Sequence, residues 1–159
     1  MKKKVLIYCL LLLTTHISFG QEIKPYRIGI VVENLEKSSN WYSNIFEAEV
    51  YKEVSYPEFD SLTIHLLKNE YFEFELVERK SSISIHDVIS NYNVKEKPLL
   101  GIYKVSFQVD DIQKIYNRIK KEKIEFHMDL STDEEFKMKS FIIKDPDNNL
   151  LQFQENIDN

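Results

Sequence analysis

From Tyr26 to Val32 the chain alternates, with Ile28, Ile30 and Val32 on one side and Arg27, Gly29 and Val31 on the other. That is the period of a half-buried strand. Asn34 then offers a helix N-cap, and Leu35, Trp41, Tyr42, Ile45 and Phe46 recur at spacings that build one apolar helix face. Residues 49–56, 61–67 and 71–78 read as three strands, the last two joined by the polar turn Lys68-Asn69-Glu70. The order is βαβββ. Residues 79–100 are polar and serine-rich and end near Pro98, which predicts a linker with a short helical piece from His86 to Tyr92. The pattern then restarts with a strand over Ile102–Val109. Ile112, Ile115, Tyr116 and Ile119 make the stripe of a helix capped at Asp110 or Asp111. Short strands follow at 124–128, 138–144 and 150–155, with Asp145-Pro146-Asp147-Asn148-Asn149 as the tight turn between the last two.

The two halves superimpose at a fixed offset of 77 residues. The run from Tyr26 to Leu35 lies over the run from Tyr103 to Ile112, and Phe74-Glu75-Leu76-Val77-Glu78 lies over Leu151-Gln152-Phe153-Gln154-Glu155. Agreement at both ends implies a duplicated module. Each module alone would leave one sheet face unburied, so the pair is expected to form one α+β domain: module one over 24–78, the linker over 79–100 and module two over 101–156.

Composition narrows the chemistry. The chain has 159 residues, 43% hydrophobic and 30% charged, the size of one globular domain. Its three glycines, Gly20, Gly29 and Gly101, cannot build a GxGxxG or GxxxxGK[ST] loop, which excludes a Rossmann or P-loop nucleotide site. A net charge of −5 with no basic cluster beyond Lys2-Lys3-Lys4 argues against nucleic acid as a partner. Those lysines precede an apolar run from Val5 to Leu13 and then Ser18-Phe19-Gly20, a secretory signal pattern with cleavage expected after Gly20. The run is shorter than the ~20 residues that span a bilayer, so no membrane partner is expected after cleavage. Residues 21–159 then contain no cysteine, because Cys9 leaves with the leader; the exported domain would rest on its core alone.

Three segments carry a family resemblance. These are Ile30-Val31-Val32-Glu33-Asn34-Leu35-Glu36-Lys37-Ser38 running into Trp41-Tyr42, Phe107-Gln108-Val109-Asp110-Asp111-Ile112, and Phe141-Ile142-Ile143-Lys144-Asp145-Pro146-Asp147-Asn148-Asn149-Leu150. Over residues 24–156 the chain resembles the vicinal oxygen chelate superfamily of glyoxalases, bleomycin-resistance proteins and extradiol dioxygenases. The resemblance implies two tandem βαβββ modules forming a curved mixed sheet that encloses a cup. The family's DPDGN turn here has Asn148 in place of glycine, and asparagine also tolerates a left-handed turn.

Alternation then assigns the faces. Ile28, Ile30, Val32, Phe72, Phe74, Leu76, Val105, Phe107, Val109, Leu151 and Phe153 point toward the helices. The cup is lined by the opposite set, which includes Arg27, Gly29, Glu73, Glu75, Lys104, Ser106, Gln108, Gln152 and Gln154. A polar lining of mixed charge is costly to bury without partners, so a small polar or anionic molecule is the expected occupant. In metal-dependent relatives four ligands come from positions that correspond to Arg27, Glu75, Lys104 and Gln152. Arginine has no lone pair to give and lysine must first lose its proton, so neither a metal nor another cofactor is expected here, against the pattern of those relatives; the rival expectation from the resemblance is a metal-dependent lyase, isomerase or dioxygenase of the same fold. Three readings of the four positions stay open: an Arg27–Glu75 or Lys104–Glu75 ion pair that plugs the site, an anion clamp by Arg27 and Lys104, or metal-free proton abstraction by Glu75 beside a carbonyl polarised by a cation. His65 and His127 lie on strands and His86 in the linker; His65 would face the cup, where with Glu73 and Glu75 it would make an alternative metal site. Tyr56, Phe59, Tyr71, Tyr92 and Tyr103 would line a rim, and a homodimer is expected from the resemblance alone.

Overall fold

The computed structural model describes residues 24–157. Module one comprises strand β1 (Arg27–Val31), helix α1 (Leu35–Phe46) and strands β2 (Glu49–Tyr56), β3 (Leu62–Lys68) and β4 (Glu73–Glu78). A single-turn helix α2 (Ile85–Val88) interrupts the linker. Module two comprises β5 (Val105–Gln108), α3 (Ile112–Lys121), β6 (Phe126–Asp133), β7 (Met138–Lys144) and β8 (Leu150–Asn156). The expected leader, residues 1–20, lies outside the described residues. No helix among those described is long and apolar enough to cross a membrane.

Each module is one four-stranded mixed sheet, in the orders β1-β4-β3-β2 and β5-β8-β7-β6. The first strand of each pairs in parallel with the last, Gly29 opposite Glu75 and Ser106 opposite Gln152. The remaining pairs are antiparallel. Among the described residues no strand pair joins the two sheets, so β1 and β5 each end a sheet.

The duplication extends to the helix caps. Asn34 accepts a hydrogen bond from the Lys37 N–H and Asp111 one from the Lys114 N–H, at 2.8 and 2.9 Å. A glutamate at the end of each module's last strand adds a second cap: Glu78 accepts from the Leu35 N–H at 2.6 Å and Glu155 from the Ile112 N–H at 2.7 Å. All four residues obey the 77-residue offset. A carboxylate at a helix N-terminus satisfies a donor that has no intrahelical partner and interacts favourably with the dipole.

Several boundaries differ from the sequence reading. The β3–β4 turn runs to Phe72, because the Asn69 side chain accepts from the N–H groups of both Tyr71 and Phe72 and delays the ladder until Glu73. Strand β5 starts at Val105 rather than Ile102, since its ladder with β8 begins at Leu151. The linker helix covers 85–88 instead of 86–92, capped by Ser84. Strand β6 runs on to Asp133 through two register shifts. The 145–149 turn forms as expected, with Asn148 left-handed at φ 68°.

One apolar cluster serves both modules. Val32, Leu35, Tyr42, Ile45, Phe46, Leu67, Phe74 and Leu76 from module one meet Ile112, Ile119, Phe141, Ile143, Leu151 and Phe153 from module two. Phe46 stands at the junction, its ring 4.8 Å from that of Phe74, 4.7 Å from Phe107 and 5.6 Å from Phe153. Polar contacts between modules lie on this same helix-covered side. The Tyr42 hydroxyl donates to Asp145, the Glu33 N–H and the Ser38 hydroxyl donate to Asp147, and Arg118 donates to the Ile45 carbonyl and to Glu47.

Candidate functional site

The candidate residues lie on the sheet faces opposite those that pack on the shared apolar cluster. In module one the parallel register sets Arg27 opposite Glu73. The guanidinium bonds Glu73 Oε2 through Nε at 3.1 Å and Nη2 at 2.7 Å, and Glu75 Oε2 through Nη1 at 3.1 Å. Nη2 also donates to the hydroxyls of Tyr26 and Tyr51, and the Tyr51 hydroxyl donates to Glu73 at 2.9 Å. The guanidinium carbon lies 4.9 Å from the centre of the Tyr26 ring, a cation–π contact. Hydrogen bonds from Arg27 and then Tyr51 hold the Glu73 carboxyl below its ordinary range. Desolvation and the Glu73 contact raise the Tyr51 phenol. Beside this cluster Gly29 faces open space, with no atom within 4 Å of where a Cβ would stand.

In module two the equivalent positions behave differently. Ser106 occupies the place of Gly29, and its hydroxyl donates to Gln152 Oε1 at 3.0 Å. Gln152 is 3% exposed. Lys104 is half-buried and has no hydrogen-bond or ion-pair partner among the described residues. The contrast follows from one side chain: Glu75 has no hydroxyl across the ladder and turns to Arg27, while Gln152 has Ser106.

Of the four expected site residues, the structure therefore brings Arg27 and Glu75 together and puts Gln152 on the other sheet, with Lys104 just ahead of β5. The Arg27–Glu75 pair is the one the plug reading anticipates, with Glu73 as an additional partner. Glu75, the candidate base, has Oε2 committed to Arg27. Tyr51 is a participant that the sequence reading missed. It is the extra residue of a β-bulge between Val50 and Lys52, and a bulge resets the alternation from which faces are read.

His65 is a correction. Its neighbour across the ladder is Leu76, on the helix-covered face. Nδ1 shares a 2.8 Å hydrogen bond with the Ser39 hydroxyl of α1, and Nε2 lies 3.3 Å from Glu53. The histidine thus ties α1 to its sheet and cannot join Glu73 and Glu75, so the alternative metal site does not form. His127 falls in a register shift of β6, and burial, with Lys95 and Lys144 near, lowers its pKa. His86 sits in α2 with its ring 5.8 Å from that of Tyr92. Tyr56, Phe59, Tyr71 and Tyr103 are exposed, as a rim requires, while Tyr92 is half-buried against His86.

The fit of a divalent metal can be tested on these donors. At Arg27 a guanidinium already fills the space between two carboxylates, and at Lys104 the group is an ammonium; neither offers a lone pair in its charged form. A cation at such a place is repelled by about 4 kcal/mol per unit charge at ~4 Å and an effective dielectric near 20. Among the described residues no group of three or more His, Cys, Asp or Glu is placed to hold an ion. These positions do not fit the family's metal.

Residues 24–153 match the family model for the glyoxalase/bleomycin resistance protein/dioxygenase superfamily. The chain belongs to that superfamily. Solved structures with the same fold include a glyoxalase family protein from Enterococcus faecalis, 24% identical, with a TM-score of 0.66 over 86% of this chain and 99% of that one. A glyoxalase family protein from Bacillus cereus is 17% identical, with a TM-score of 0.66 over 89% of this chain and 99% of that one. The fosfomycin resistance protein FosX from Listeria monocytogenes, complexed with Mn(II) and sulfate, is 18% identical, with a TM-score of 0.60 over 86% and 94%. A search of curated proteins finds no match. For this superfamily member, two surface hollows of about 590 and 580 Å3 lie away from Arg27 and Lys104, one along α3 around Asn117 and the other between Phe46 and Tyr71.

Proposed function

We propose that this superfamily member is exported, loses its leader after Gly20, and as a homodimer binds a small polar molecule with at least one anionic group, without a divalent metal. The observation that carries the reading is Lys104. A half-buried lysine with no counter-charge among the described residues is a place where a carboxylate or phosphate can add a charge-assisted hydrogen bond. Ser106 beside it supplies a hydroxyl, and the open space at Gly29 leaves room on the companion face. The Mn(II) of FosX is not carried over, because Arg27 and Lys104 stand where ligands would be needed. The Arg27 network favours a second reading, in which the cluster is a purely structural plug and the protein acts through its surface.

Thermal unfolding in the presence of small acids, phosphates, sugars, Mn(II), Zn(II) and Ni(II) separates these. At about 100 times its Kd a bound ligand stabilises by ~2.7 kcal/mol, a shift of several degrees for a domain of this size. We expect at least one acid or phosphate to stabilise and Lys104→Gln to abolish the shift. Silence from every compound leaves the plug, and a metal-induced shift that Glu75→Ala removes overturns metal independence. N-terminal sequencing of the exported protein should begin at Gln21, and a start at Met1 refutes cleavage.

A further inference from the structure

The expected polar lining holds for only part of the module-one face. Its side chains fall into rows across the four strands. Val31 of β1 lies opposite Val77 of β4, Val77 opposite Ile64 of β3, and Ile64 opposite Val54 of β2. Residues opposite each other in a ladder share a face, and so do alternate residues along a strand, so these four stand on the face of Arg27, Gly29 and Glu75. The reverse face carries Leu67, Phe74 and Leu76, fully buried in the core. The aliphatic row is not: Val31 is 55% exposed, and Val54, Ile64 and Val77 are half-buried. The neighbouring row contains Gly29 and Glu75, so the open space at Gly29 lies directly beside it.

The equivalent row of module two is polar. Gln108 lies opposite Gln154, Gln154 opposite Ser140, and Ser140 opposite Ser131. Gln108 and Gln154 stand at the 77-residue offset from Val31 and Val77. Valine and isoleucine favour strands, but that preference does not require the row, because the equivalent strands form with glutamine and serine. The duplicated module has therefore specialised, with an aliphatic wall in one copy and a hydrogen-bonding wall in the other. Aliphatic surface left in contact with water gains free energy when it is covered.

We propose that the aliphatic row of Val31, Val54, Ile64 and Val77 holds the apolar body of the ligand whose anionic group is bound at Lys104. The ligand is then an amphipathic acid, a carboxylate or phosphonate on an aliphatic chain or aromatic ring, in place of a sugar acid or inorganic phosphate. The inference rests on the binding reading above and narrows it to a chemical class. Two features select a small molecule for the row. The first is its extent. Four strands about 4.8 Å apart make a strip about 14 Å long, bordered on one side by the row of Glu75 and Lys52, which suits an acyl chain or a ring. The second is the company it keeps. Small-molecule sites combine apolar walls with a few placed polar groups, and Lys104 and Ser106 supply those groups while Gly29 supplies the room.

A homologous series tests this on the full chain. Acetate, butyrate, hexanoate and octanoate are titrated by calorimetry at constant ionic strength, with hexan-1-ol as a chain that lacks the acid. Each methylene that leaves water for the row should tighten binding about fourfold. The double variant Val31→Gln/Val77→Gln gives the row the residues of module two and should flatten that dependence. Lys104→Gln should weaken every acid and keep the dependence. Circular dichroism checks that the variants fold, and Val31→Gln alone, at an exposed position, replaces the double variant if the pair does not. Equal affinity for acetate and octanoate, or a chain-length dependence that survives in the double variant, overturns the inference and leaves the binding reading standing. Hexan-1-ol that binds through the row while Lys104→Gln leaves the acids unchanged does the reverse: it supports the row and removes the anion site. Silence from acids and alcohol alike overturns both. Val31 and Val77 methyl resonances that move with protein concentration and not with octanoate place a second copy on the row, which also overturns the inference.

Discussion

Phe46→Ala should lower the stability of the folded chain by about 3–5 kcal/mol, the range for removing a large aromatic side chain from a packed core. Phe46 is the last residue of α1, and its ring packs against Tyr42, Phe72 and Phe74 of its own module and against Phe107 and Phe153 of the other. Aromatic pairs at these separations add about 0.5–1.5 kcal/mol each beyond the area they bury. The substitution therefore weakens both modules and the seam between them. Urea unfolding followed by tryptophan fluorescence and by circular dichroism should show one transition in both proteins, with the midpoint displaced in the variant and the slope retained. A loss below about 1 kcal/mol would mean that the seam collapses around the cavity without cost. Two separate transitions in the unsubstituted protein would mean that the modules fold as independent units, contrary to the single core.

Why a residue of this weight is not legible as such in the sequence is a matter of range. Phe46 reads as one more apolar position on a helix face, which it is; that its ring faces a strand more than 60 residues away is set by tertiary packing. Local periods were enough for the elements, because a strand face and a helix stripe are written within ten residues. The duplication was enough for the βαβββ order and for the helix-covered faces of β1, β4, β5 and β8, where alternation holds over most positions. It failed at β3, where Leu62, Ile64, Leu66 and Leu67 are apolar on both sides. Only the register with β4 decides that His65 shares the face of Leu76. It failed again at Tyr51, displaced by a bulge that no composition announces. Of the site, the residue types at positions 27, 75, 104 and 152 were readable. Their division between the two modules, with Arg27 and Glu75 bonded to each other and Gln152 bonded to Ser106, was not, because it depends on how one module packs against the other.

That packing has a polar lock, and removing it is the second large effect expected. Asp145 is 5% exposed and accepts four hydrogen bonds: from the Tyr42 hydroxyl at 2.7 Å, from the Asn149 N–H and side-chain amide at 2.7 and 2.8 Å, and from the Asp147 N–H at 2.9 Å. Burial raises the Asp145 carboxyl above its ordinary pKa, and the four donors work against that shift. Burial first, and then the charge of Asp145, also raise the Tyr42 phenol, which keeps its proton and remains a donor. The geometry holds the 145–149 turn closed and pins it to α1 of the other module. Asp145→Ala leaves these donors without an acceptor inside the protein, and at about 1–3 kcal/mol for each unsatisfied buried group, partly relieved by relaxation, a loss of about 2–4 kcal/mol is expected. Tyr42→Phe removes one donor and keeps the ring, so it should cost about 1–3 kcal/mol. If the hydroxyl acts through Asp145, the double variant should lose less than the sum of the two singles, with a coupling of about 0.5–3 kcal/mol in urea titrations. Simple additivity would mean that the turn is held by its internal bonds alone, and that the modules are joined by the aromatic seam without this lock.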